Sequence, residues 1–129
     1  HPNKDLSILS TSLGVVPFRI YQRGENRSTS KGRSLEGVFE LSYCCLSFDF
    51  AINSNLEENL ETLIEILEKQ ADKLKELNDT GGRMNLTIFT TSGRLNGELS
   101  LEIMRCLERF KINLYFNIGG TNASFCPAE

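Results

Sequence analysis

The chain lacks tryptophan, and its single histidine is His1. Nucleophilic catalysis by Cys or Ser wants a neighbouring base, most often His. With the imidazole at the first residue, Cys/His and Ser/His chemistry have no base to work with. The cysteines, Cys44, Cys45, Cys106 and Cys126, include no CxxC pair. A structural zinc site needs four Cys/His ligands, usually in close pairs. Adjacent Cys44 and Cys45 on a strand point to opposite faces and are poorly placed to share an ion. They read as free thiols in a reducing cytoplasm. No apolar run approaches the roughly 20 residues of a membrane-spanning helix. No signal peptide is visible at the start. Neither GxxxxGK[ST] nor GxGxxG occurs, so a phosphate-cradling loop of either type is excluded. Basic charge is not in excess either: the formal net charge is -3, against the basic footprint of general nucleic-acid binders. The sequons at Asn26, Asn85 and Asn122 read as chance, since nothing else points to secretion.

What is present is ordinary for a globular chain: 129 residues, 40% hydrophobic and 24% charged. That length is one domain by size and enough to bury a core. Asp5 to Leu13 reads as a short helix, with Leu6, Leu9 and Leu13 on one side, Gly14 as C-cap and Pro17 as stop. Phe18 to Tyr21 reads as a short strand. Arg23 to Ser34 is a basic polar loop, expected to be a mobile connector. Val38 to Phe50 reads as a strand whose alternation changes phase at Cys44-Cys45, which suggests a bulge or a bend there.

Asn55 to Asn78 predicts one long amphipathic helix. Leu56, Leu60, Leu63, Ile64, Leu67, Ala71, Leu74 and Leu77 form its stripe, and Ser54 with Glu57 matches a capping box. Met84, Leu86 and Ile88 alternate as a strand. After a turn at Ser92 to Gly97, Ser100 caps a helix with Leu101, Met104 and Leu107. Ile112, Leu114, Phe116 and Ile118 end the pattern as a strand, and the tail from Gly119 carries no periodicity. Strands alternating with helices imply an α+β domain. We expect a mixed sheet of about four to five strands, with helices packed mainly on one face.

These landmarks resemble a family of bacterial domains of unknown function, DUF4279. The residues that carry the resemblance are Leu13-Gly14-Val-Val-Pro17, Tyr21, Arg23-Gly24-Glu25, Gly37-Val38-Phe39-Glu40-Leu41, Leu99-Ser100 and the strand Asn113 to Ile118. The family pattern opens with a strand that has no counterpart here, so a trimmed N-terminus is expected. Phe39 stands where that pattern often carries Trp. The resemblance implies a fold and no activity, cofactor or catalytic residue.

Charge supplies the remaining signals. Glu58, Glu61, Glu65, Glu68 and Asp72 recur at helical spacing and read as a ridge opposite the leucine stripe. Like charges this close repel by a few tenths of a kcal/mol per pair, so the ridge needs a reason or a solvent. A merely solvated face is one reading. A docking surface for a basic partner is the other, since such surfaces steer encounter and select partners. Arg23, with the basic loop after it, and Tyr21 are further contact candidates, because Arg and aromatics dominate interface hot spots. The functional expectation is a cytoplasmic, non-enzymatic immunity protein that binds a cognate toxin, such as a basic nuclease domain. No cofactor, metal or membrane is expected. The alternatives are a regulatory module for a small molecule and, third, a metal-dependent enzyme built on scattered acids.

Overall fold

The computed structural model describes residues 1–50, 54–90 and 94–119. The first part of the expected turn at Ser92, the tail from Gly120 and Cys126 lie outside these residues. The described chain is mixed α+β, with four helices and three two-stranded sheets. It divides into two compact units, His1–Phe48 and residues 49–119.

The first unit begins with α1 (Ser7–Leu13), which Gly14 closes in the left-handed region at φ 65°. The Val15 N–H reaches back to the Ser10 carbonyl at 3.1 Å and satisfies one of the carbonyls a helix end leaves open. Then follow β1 (Arg19–Tyr21), β2 (Asn26–Ser28), β3 (Ser34–Val38) and β4 (Tyr43–Cys45). β1 pairs antiparallel with β4, and β2 with β3.

Two expectations are corrected here. The basic segment from Arg23 to Ser34 is not a bare connector. It contains β2 and the start of β3, joined by a turn in which the Thr29 N–H donates to the Arg33 carbonyl at 2.8 Å. Nor is 38–50 one strand. β3 ends at Val38, and Phe39 and Ser42 are buried in the stretch before β4. Cys44 and Cys45 lie in regular pairing with Ile20 and Arg19, so the phase change seen in the sequence reflects the break at 39–42 rather than a bulge at the cysteines.

The second unit holds α2 (Leu56–Glu68), α3 (Ala71–Asp79), β5 (Met84–Thr90), α4 (Leu101–Arg109) and β6 (Ile112–Ile118). The cap of α2 is Asn55, whose side chain accepts from the Glu57 N–H at 2.8 Å; the Ser54 hydroxyl instead accepts from the Asn59 side chain. The expected helix over 55–78 is two helices. The chain leaves the α ladder at Gln70, whose N–H bonds to the Leu67 carbonyl three residues back. Apolar spacing continues through Leu67, Ala71 and Leu74, so the pattern carries no mark of the break.

β5 and β6 run parallel and in register from Met84–Ile112 to Thr90–Ile118, with α4 as the crossover. The expected sheet of four to five strands is thus not formed among the described residues: each sheet has two strands. Alternation along β5 and β6 sends Leu86, Ile88, Ile112 and Leu114 to one face, where they pack on Leu60 of α2 and Ile103 and Leu107 of α4. Ser100 starts α4 by accepting the Ile103 N–H at 3.3 Å. At its other end the Asn78 amide donates to the Phe110 carbonyl at 2.7 Å and ties α3 to the end of α4.

Ile103 is 2% exposed at the centre of this cluster. Truncating a buried aliphatic side chain to Ala costs about 2–5 kcal/mol through lost burial and the cavity left behind. Ile103→Ala is expected to lower unfolding stability within that range, read from urea denaturation with unchanged m. A loss below about 1 kcal/mol would mean that the cluster is not tightly packed.

Candidate functional site

The acids of α2 follow from helical spacing. Leu60 and Leu63 are buried, and the helical turn carries Glu58, Glu61 and Glu65, which precede, separate and follow them, to solvent. All three are exposed, which keeps their mutual repulsion small in water.

Glu68 is exposed too but is not free. Its Oε1 pairs with the Arg109 guanidinium and lies 3.9 Å from Cys106 Sγ, so it links the end of α2 to α4. Asp72 belongs to α3, in that helix's first turn, where a carboxylate is favoured by the helix dipole. The break at Gln70 therefore removes Asp72 from the row. The open ridge is Glu58, Glu61 and Glu65.

Tyr21 and Arg23 belong to the first unit. Tyr21 is 7% exposed. Its ring stacks between Phe39, at 3.7 Å between centroids, and Tyr43, at 5.2 Å. The Arg19 guanidinium lies 5.5 Å from the Tyr21 ring centre. Tyr21 is a core residue, and reading it as an exposed anchor is corrected by this stack.

Arg23 does reach solvent. Its N–H donates to the buried Ser42 hydroxyl at 3.2 Å, and Ser42 also exchanges backbone bonds with His1 at 2.8 and 2.9 Å. Gly24 follows at φ 88°, the left-handed region that suits glycine, and its N–H donates to the Phe39 carbonyl. The Phe39 N–H returns a bond to Glu25 at 2.9 Å. The Arg-Gly-Glu turn is thus laced to the 39–42 stretch, and a shallow groove of about 480 Å³ lies beside Arg23, Gly24, Phe39 and Glu40.

Chemistry is sparse. Among the described residues no group of three or more His, Cys, Asp or Glu side chains could hold a metal ion. Cys44, Cys45 and Cys106 form no disulfide. Burial, followed by the neighbouring Cys45, pushes the Cys44 thiol above its ordinary value, so it resists becoming the thiolate that nucleophilic work requires. Sequence reasoning missed the Glu68–Arg109 pair, because its partners are 41 residues apart on different helices. It also missed Ser42, a buried serine with no pattern around it.

The chain matches the family described as Domain of unknown function (DUF4279) over residues 3–120 and belongs to it. No curated protein matches the chain. No solved structure matches it. No helix among the described residues is long and apolar enough to cross a membrane.

Two outcomes check the electrostatics. Glu68→Gln is expected to cost less than about 1 kcal/mol, because half-exposed ion pairs are screened by solvent, and the cost should shrink further in high salt. Unfolding in low and high salt measures it, and a large, salt-independent loss would contradict the solvent-screened pairing. Cys44, with its raised pKa, should be alkylated more slowly than a free thiol below the ordinary cysteine range and catch up as pH rises. Peptide-resolved iodoacetamide labelling across pH reads this, and fast labelling near neutrality would contradict it.

Proposed function

We propose that this member of the DUF4279 family is a non-enzymatic protein-binding domain, and that its role is that of a bacterial immunity protein which neutralises a cognate toxin in the cytoplasm. The observation that carries the reading is the open row Glu58, Glu61 and Glu65 on the solvent side of α2, uncompensated by cations within that helix. A basic nuclease domain is the natural counterpart, since charge complementarity accelerates encounter and rejects wrong partners. An interface of standard size takes about 800 Å² from each partner, more than three acids supply, so neighbouring side chains on the same helices must share in it. Arg23 is a separate contact candidate on the first unit. The sparse chemistry supports binding over catalysis. The second reading, a small-molecule regulatory module, rests on the groove beside Arg23 and Phe39; its shallowness favours the protein partner.

The experiment is neutralisation by the full chain. Co-expression with the toxin domain encoded beside it should rescue growth, and the pair should co-purify stoichiometrically. Reversing Glu58, Glu61 and Glu65 to Lys together should slow association at least about tenfold at low salt and flatten its salt dependence. Unchanged kinetics in the reversed chain would remove the ridge from the interface. Failure to bind any adjacent toxin, together with a retained small ligand in native mass spectrometry, would favour the module.

A further inference from the structure

β6 is an edge strand whose free side can be assigned residue by residue. The Gly119 N–H donates to the Thr90 carbonyl at 2.9 Å, and Thr90 is in register with Ile118. Peptide groups of a strand in a parallel pair alternate between the partner and the opposite side. Asn113, Tyr115 and Asn117 therefore turn their N–H and C=O groups to β5. Ile112, Leu114, Phe116 and Ile118 turn theirs outward. Among the described residues no backbone or side-chain group bonds to that outer edge.

The strand itself reads Ile-Asn-Leu-Tyr-Phe-Asn-Ile. About Tyr115 it is the same in polarity from either end. It contains no charge and no proline, the usual devices that keep an open edge from pairing. Three of its apolar or aromatic side chains remain in water: Tyr115 is 53% exposed, Phe116 47% and Ile118 50%.

We propose that β6 is a homodimerisation edge, along which two copies of this chain pair antiparallel across a two-fold axis at Tyr115. A two-fold interface must be complementary to itself, and this strand is. In that register the whole strand overlaps its copy. Leu114 lies opposite Phe116 of the second copy, and Ile112 opposite Ile118, with their outward N–H and C=O groups facing each other so that each pair exchanges two hydrogen bonds. Asn113 meets Asn117 of the second copy on the other face. Apolar side chains meet apolar ones and amides meet amides, with no like charges opposed. Phe116 and Ile118, half-exposed in a single copy, gain aliphatic neighbours. The result is a four-stranded sheet with both helix layers on one face. The occupant is a second copy rather than an unrelated strand because polarity and length match without any further assumption. The proposal is independent of the acidic ridge.

Tyr115 then faces its own copy in a non-hydrogen-bonded pair, where Cα atoms lie about 4.5 Å apart. That is inside the span of about 4.4–6.8 Å that a disulfide bridges. The test is cross-linking in the full chain, assigned by peptide mapping because native thiols are present. Tyr115→Cys is expected to give a covalent dimer linked through residue 115 on mild oxidation. Asn113→Cys alone should not link to itself, but a mixture of Asn113→Cys and Asn117→Cys chains should link to each other. The unmodified chain should sediment as a dimer that dissociates on dilution. Introducing Asp at both Asn113 and Asn117, which opposes like charges across the axis, should yield monomer. A monomer at every concentration of the unmodified chain would overturn the proposal. So would equal self-linking at 113 and 115, or sedimentation as large aggregates without a discrete dimer.

Discussion

The parallel, in-register pairing of β5 with β6 is the constraint on which the second unit depends. A parallel pair cannot be joined by a tight turn; it needs a crossover, and here α4 supplies it. Once α4 lies over the sheet, Ile103 and Leu107 are brought against Leu86, Ile88, Ile112 and Leu114, and α2 closes over them with Leu60. What remains outside is a consequence of that choice. Glu58, Glu61 and Glu65 of α2 are turned to water, the second sheet face shows Asn85, Asn113 and Tyr115, and β6 keeps an open side among the described residues. The turn from α4 into β6 is so short that Lys111 takes φ 53°, a left-handed conformation unusual for a side chain of its size.

The first unit is held differently. It has no long apolar stripe. Its centre is the stack of Phe39, Tyr21 and Tyr43, with Arg19 beside the Tyr21 ring. Backbone bonds from the Arg-Gly-Glu turn to the 39–42 stretch hold Phe39 in place, and Ser42 accepts from Arg23 through its hydroxyl while its backbone bonds to His1. This gives a physical reason for the short family landmarks around Gly24 and Phe39. They mark one laced turn against one buried ring.

Legibility followed the physics of each element. Regular alternation identified β5 and β6, and the stripe with Ser100 identified α4, because a buried face leaves a period in the sequence. The α2–α3 break left none, since Leu67, Ala71 and Leu74 keep helical spacing across it. The β2–β3 hairpin was invisible because Asn26, Arg27 and Ser28 bury almost nothing; its evidence is backbone bonding around Thr29 and Arg33. Tyr21 read as a contact residue because its partner Phe39 is distant in sequence. Of the acidic row, Glu58, Glu61 and Glu65 were legible from spacing alone. The pairing of Glu68 and the separation of Asp72 required the folded arrangement of α2, α3 and α4.

The most direct measurement is residue-resolved amide exchange along β6 in dilute protein. Parallel pairing to β5 with an open outer edge protects the N–H groups of Asn113, Tyr115 and Asn117, while those of Leu114, Phe116 and Ile118 exchange quickly. The alternation should fade as concentration rises and the outer groups find partners. Equal, slow exchange of both sets in dilute protein would contradict the account, as would fast exchange of the inner set.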